Sequence, residues 1–318
     1  MAAASAFPVP FSTRRTAPRQ RLDAPAVAFP PRPLHHLYDY PSPFRRCGLY
    51  HHRRAYPRRN VVGREMIGQV KLKDDVDDEA CELVSGVELS IGEDQDSIHA
   101  YLLKAVKNNN GTGVLLLSDV MGFEDPSIRD FAYRVACIGY NVLIPDLFRG
   151  NPWNINQPIT EFEHWLSRQS PKRVAKDISM SAKWMRDEFM AAGISKKLGI
   201  IGFCFGGGHL VETLARDEQA YFGTGVCFYG TNMNPSVGSS IKVPVLFICG
   251  DNDLLCPISI QQEMEKNTGG SKLKIYSGRE HGFAHRPKSD EEDQDAEDAF
   301  AIMRNWLHDD LLVRKDHA

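Results

Sequence analysis

No uninterrupted apolar run in this 318-residue chain approaches the roughly 20 residues that cross a bilayer, which excludes a membrane-spanning helix and leaves no sign of a membrane partner. The seven cysteines (Cys47, Cys81, Cys137, Cys204, Cys227, Cys249 and Cys256) lack the paired spacing of a zinc site or a disulfide framework. No metal or organic cofactor is therefore expected, and a reducing compartment fits a chain whose thiols stay free. The first 65 residues lack lysine entirely and hold only three acids, Asp23, Asp39 and Glu65, against twelve arginines. They carry +9, so the remainder carries −12 to reach the overall −3. An acidic body gives no support to nucleic-acid binding. The leader also lacks the apolar core of a secretory signal. Rich in Arg, Ala, Ser and Pro, it has the composition of an organelle transit peptide, and its opening Met-Ala-Ala-Ala-Ser favours a chloroplast leader. A disordered basic tail, or an upstream start ahead of a true Met66, are the competing readings. The expected division is a leader over 1–65 and a folded domain over 66–318.

What the domain does contain is a nucleophile-elbow pattern. Residues 198–208 read Leu-Gly-Ile-Ile-Gly-Phe-Cys-Phe-Gly-Gly-Gly, which is G-x-S-x-G with a thiol in place of the serine. A strand must turn sharply into a helix there, and glycines two residues either side of the apex leave room for it. Cys204 would sit at a helix N-terminus, where the dipole favours a thiolate and a developing oxyanion. An inert cysteine in a Gly-rich turn is the competing interpretation.

Two later segments bear on the choice. An apolar run at 244–249 leads to Gly250-Asp251-Asn252-Asp253, and an alternating run at 272–276 leads to His281-Gly282-Phe283. Cys, Asp and His thus follow the chain order of an α/β-hydrolase triad, each just past an expected strand. In a parallel sheet those strand ends share one edge, so distant residues can converge. Cys204 is the candidate nucleophile, His281 the base, and Asp253 the acid that orients it. Asp251 is the rival acid and His285 the rival base.

Alternating patterns predict a mostly parallel sheet with helices on both faces. Strands are expected at 87–92 and 98–105 as an antiparallel opening pair, then at 113–118, 140–145, 224–229, 244–249 and 272–276. Helices are expected at 126–138, 171–190, 206–216, 258–267 and 290–311. Residues 147–169 read as an irregular connection in which Trp153, Phe162 and Trp165 either wall an acyl pocket or staple a surface loop.

Five segments together resemble the dienelactone hydrolase (carboxymethylenebutenolidase) family of α/β-hydrolases: 202–207, 250–253, Tyr276 through His281-Gly-Phe, Asp119-Val-Met-Gly-Phe, and Gly139 through Asp146-Leu-Phe. The resemblance spans about residues 80–312. It implies an α/β-hydrolase fold and hydrolysis of small esters or lactones through a covalent acyl-cysteine. It also implies an oxyanion hole made by the backbone N–H groups of Val120 and Phe205. Asp119 stands where the family carries a longer glutamate. One of the family's two carboxylate-gripping arginines is replaced by His285, with Arg286 next along; the other has no clear counterpart, Arg168 and Arg173 reading as surface helix positions. Asp119, Tyr229, His285 and Arg286 are the candidate pocket residues. The implied partner is a small-molecule ester, lactone or thioester. A thioesterase or general carboxylesterase, or a non-catalytic ligand-binding receptor on the same fold, are the alternatives.

Overall fold

A computed structural model describes residues 83–93 and 96–313. The leader over 1–65, with its targeting reading, and the expected domain start at Met66 lie outside the described residues. Among the described residues, eight strands form one sheet: β1 (Val84–Ile91), β2 (Ile98–Ala105), β3 (Gly113–Leu117), β4 (Asn141–Pro145), β5 (Leu198–Phe203), β6 (Phe222–Phe228), β7 (Val245–Gly250) and β8 (Lys272–Tyr276). Their order is β1-β2-β4-β3-β5-β6-β7-β8. β1 and β2 pair antiparallel, as does β2 with β4, and every later pairing is parallel. The helices are α1 (Pro126–Cys137), α2 (Phe162–Ser167), α3 (Pro171–Ala191), α4 (Phe205–Ala215), α5 (Ile258–Asn267) and α6 (Asp290–His308).

Several boundaries differ from expectation. The first strand begins at Val84 rather than residue 87, because cross-strand pairing with Lys104 and Ala105 extends it through Val84 and Ser85. The closing helix ends at His308, and Asp309–Val313 widens into a π-type turn. The 147–169 connection is not irregular throughout. Phe162–Ser167 is helical, stabilised where Phe162, Trp165 and Trp153 pack ring against ring.

The central strands are apolar on both sides, as a sheet covered by helices on both faces requires. Val114, Leu115, Leu116 and Leu117 of β3 are all fully buried. Each such aliphatic side chain contributes roughly 1.5–3 kcal/mol relative to exposure. α1 shows how a helix is seated on this surface. Pro126 occupies its first turn, and the Asp125 carboxylate caps it by accepting from the N–H of Ser127 at 2.9 Å. Ile128, Phe131 and Val135 then form one buried stripe. The Phe131 ring meets those of Phe203, Phe228 and Phe300 edge-on, at 4.8, 5.6 and 5.3 Å, binding β5, β6 and α6 together.

The order reverses at β3, which has β4 on one side and β5 on the other. The loops leaving β3 and β5 therefore diverge to opposite faces and open a crevice at the carboxyl ends of the strands. The elbow stands at that crevice.

Candidate active site

Cys204 is the single residue between the end of β5 and the start of α4, and its backbone has φ 51° and ψ −114°. That conformation is costly for a residue with a Cβ and is held by its neighbours. The Cys204 N–H donates to the Phe228 carbonyl at 3.1 Å, while its own carbonyl accepts from the N–H groups of Gly208 at 3.1 Å and Thr231 at 3.0 Å. The flanking glycines serve close approach. A Cβ on Gly202 would lie 2.5 Å from the Gly206 oxygen, and one on Gly206 would lie 2.6 Å from the Ser118 oxygen at the end of β3. Any side chain at either position would push α4 off the sheet.

Asp253 and His281 meet across two loops. His281 Nδ1 lies 2.7 Å from Asp253 Oδ2, and the Asp253 side chain is fully buried. The other carboxylate oxygen accepts from the N–H groups of Leu255 at 2.8 Å and Cys256 at 3.1 Å, which fixes its orientation. Asp251, the rival acid, is exposed and employed elsewhere. It accepts from the Gly278 N–H at 2.5 Å and the Ser277 hydroxyl at 3.0 Å, tying down the turn after β8.

His281 Nε2 is buried and makes no hydrogen bond of ordinary geometry among the described residues. Burial, the largest single influence, disfavours the charged imidazolium, but the charge of the neighbouring Cys204 sulfur and the bond to Asp253 outweigh it and push His281 up to about 10. Catalytic hydrogen bonds are often loose until substrate is bound. The arrangement is suited to holding a proton on the imidazole beside the sulfur.

His285 is differently engaged. Its Nδ1 lies 2.5 Å from the Tyr229 hydroxyl and its Nε2 3.0 Å from Asp119 Oδ2, so both ring nitrogens are occupied. Burial, aided by Arg286, pulls it down to about 4, so it stands neutral. Asp119 behaves in the opposite way. Burial works against its charge, yet Arg286 and His285 hold it well below the usual carboxylate range. Arg286 bonds Asp119 and reaches Asp125 Oδ1 at 2.7 Å. Tyr229, at the end of β6 with φ 37°, stands between the two histidines, its ring 5.0 Å from His281 and 5.8 Å from His285.

The two expected oxyanion donors lie at the crevice. Phe205 opens α4, so its N–H has no partner within the helix. The Val120 N–H meets no protein acceptor among the described residues. The Phe205 ring continues into an aromatic wall through Phe148 at 5.2 Å, and Phe148 in turn meets Trp165 at 5.3 Å. Arg168 is exposed. Arg173 departs from the expected surface position: it is half-buried and bonds Asp177 at 2.9 Å and Gln169 at 3.1 Å. Arg149 shares the Asp177 carboxylate at 2.6 Å. Sequence reasoning did not single out Asp125 or the Trp153 backbone. The Asp-Pro signal of a helix start marks Asp125 as a cap, but its pairing with Arg286 spans 161 positions.

A sheet of this order, reversing at β3 with an elbow after β5, is that of an α/β-hydrolase. Residues 98–311 match the dienelactone hydrolase family, and the chain belongs to it. It is similar to the carboxymethylenebutenolidase homolog of Homo sapiens, with 28% identity over 61% of this chain and 79% of that one. The Mus musculus counterpart is 29% identical over 67% of this chain and 88% of that one. Among solved structures, a dienelactone hydrolase from Anabaena variabilis shares the fold with a TM-score of 0.56, at 18% identity over 72% of this chain and 99% of that one.

Proposed function

We propose that this member of the dienelactone hydrolase family hydrolyses small carboxylic esters or lactones through an acyl intermediate on Cys204, with His281 as acid and base and Asp253 as its orienting partner. The observation that carries the reading is the Asp253–His281 bond of 2.7 Å, made by a carboxylate whose other oxygen is already occupied. The strained elbow supports it, since such a backbone persists only where its surroundings over-determine it.

The Cys204 sulfur, as thiolate beside protonated His281, attacks the acyl carbon. The N–H groups of Val120 and Phe205 receive the developing oxyanion. Collapse breaks the bond to the leaving oxygen, which takes the proton from His281; in a lactone that oxygen stays tethered. Water then attacks the thioester, gives its proton to His281, and releases the carboxylic acid with the thiolate restored. Asp253 keeps the imidazole in the required tautomer and stabilises its charge. Arg286 is committed to two carboxylates, which supports esters and lactones as a class over a substrate gripped by its own carboxylate. The leader composition supports an organelle, the chloroplast in particular, as the place of action.

The test is intact-mass spectrometry of the full chain after brief exposure to p-nitrophenyl acetate, an enol lactone and an acyl thioester. His281→Ala is to be run beside the parent chain. An acyl adduct mapping to Cys204, accumulating when His281 is absent, is the expected result. Neither adduct nor product with any of the three would overturn the reading and favour a ligand-binding role.

A further inference from the structure

The turn carrying the Val120 N–H is held from three directions. The Gly122 N–H donates to the Asp119 carbonyl at 3.2 Å, and the Trp153 N–H to the Val120 carbonyl at 2.8 Å. The Met121 N–H donates to Asp119 Oδ1 at 3.0 Å. Gly122 closes this turn with φ +88°, a conformation that favours glycine. Across a trans peptide the C=O and N–H point opposite ways. Tying the Asp119 carbonyl back into the turn therefore sends the Val120 N–H away from it.

The Asp119 side chain is held in its turn. Its second oxygen takes Arg286 and His285. The far side of the same guanidinium is fixed by Asp125, the residue that caps α1. Arg286 belongs to the His281 loop, where its own N–H donates to the Gly282 carbonyl at 3.0 Å. One planar, forked group thus spans the loop that carries the candidate base and the loop that carries the candidate oxyanion donor. A buried ion pair of this kind is weak evidence for a contribution to net stability.

We infer that Arg286 is a positioning residue which, clamped between Asp119 and Asp125, fixes the Val120 N–H as oxyanion donor and sets its place relative to the His281 loop. The inference rests on the acyl-cysteine reading above. It gives Arg286 a function without substrate contact, and it gives Asp119 a function that requires no proton transfer.

The test compares two reactions of the same sulfur. Ester hydrolysis passes through an oxyanion. Alkylation by iodoacetamide forms a carbon–sulfur bond as iodide departs and develops none. In Arg286→Gln, kcat/KM for p-nitrophenyl acetate should fall about 10- to 100-fold, the scale of a misplaced catalytic group. The alkylation rate of Cys204 and its pH profile, followed by intact mass, should stay as in the parent chain. Asp125→Ser keeps an N-cap hydroxyl for α1 but takes the carboxylate away from Arg286, and should show a smaller loss of the same kind; it decides the matter if Arg286→Gln does not fold. Unchanged hydrolysis in both variants would overturn the inference. So would parallel losses of hydrolysis and alkylation, which would assign the network to the sulfur–imidazole pair. A parent chain that alkylates at Cys204 yet hydrolyses no ester would remove the acyl-cysteine reading, and the inference with it.

Discussion

Gly206→Ala tests whether the elbow's geometry, rather than its mere presence, sets the chemistry. The new Cβ would lie 2.6 Å from the Leu117 carbonyl carbon and 2.6 Å from the Ser118 oxygen, both backbone atoms that no rotamer change can move. Ordinary contact begins near 3.4 Å. The first turn of α4 must therefore retreat from β3 by roughly 1 Å, a displacement on the scale that costs about 100-fold in rate when it separates catalytic groups. Phe205 moves with that turn while Val120, held on the β3 side, does not. Overpacking of this kind costs about 1–3 kcal/mol, which for a domain of this size lowers Tm by roughly 3–10 °C. Calorimetry and p-nitrophenyl acetate turnover on the same preparation read the two effects. A folded Gly206→Ala protein with parental kcat would refute the reasoning, since the two N–H groups would then tolerate separation.

Other expectations follow from the same geometry. Asp253→Asn should lower kcat by about 10⁴ through loss of imidazole orientation, whereas Asp251→Asn should leave kcat near parental; reversed results in steady-state kinetics would exchange the two acids. His281, followed by NMR, should titrate near 10 in the parent chain and well below it in Cys204→Ala, because removing the sulfur leaves burial opposed only by Asp253. Its folded-state value lies above the ordinary 6.5. The stability this proton contributes is therefore fully present below about 6.5 and lost as pH rises towards 10, and denaturant titrations across that window should show the loss in the parent chain but not in His281→Gln. A fluorescent protein carrying residues 1–65 should enter chloroplasts of plant cells, and a diffuse cytosolic signal would count against the leader reading.

Local pattern was enough for much of this protein. The elbow could be read because a strand-to-helix turn needs glycine where backbones touch, and Gly202 and Gly206 announce that contact. Cys204, Asp253 and His281 could be picked out as candidates because each follows an apolar run and their order along the chain is informative, and the fold brings Asp253 to His281. The alternation of runs likewise foretold the sheet and the helices that cover it, since burial on both faces imposes continuous apolar strands. What local pattern could not supply was the partner of each polar side chain. Asp251 and Asp253 stand two residues apart in similar surroundings, and only the folded loops give one to Gly278 and the other to His281. The helix at 162–167 owes its form to ring packing with Trp153, nine residues before it. His285 and Arg286 looked like pocket residues. The fold ties His285 to Tyr229 and Asp119, and Arg286 to Asp119 and Asp125, across separations of 56 to 167 positions. Periodicity and glycine placement report on neighbours along the chain, whereas a hydrogen bond or ion pair depends on distances that only the closed sheet brings about.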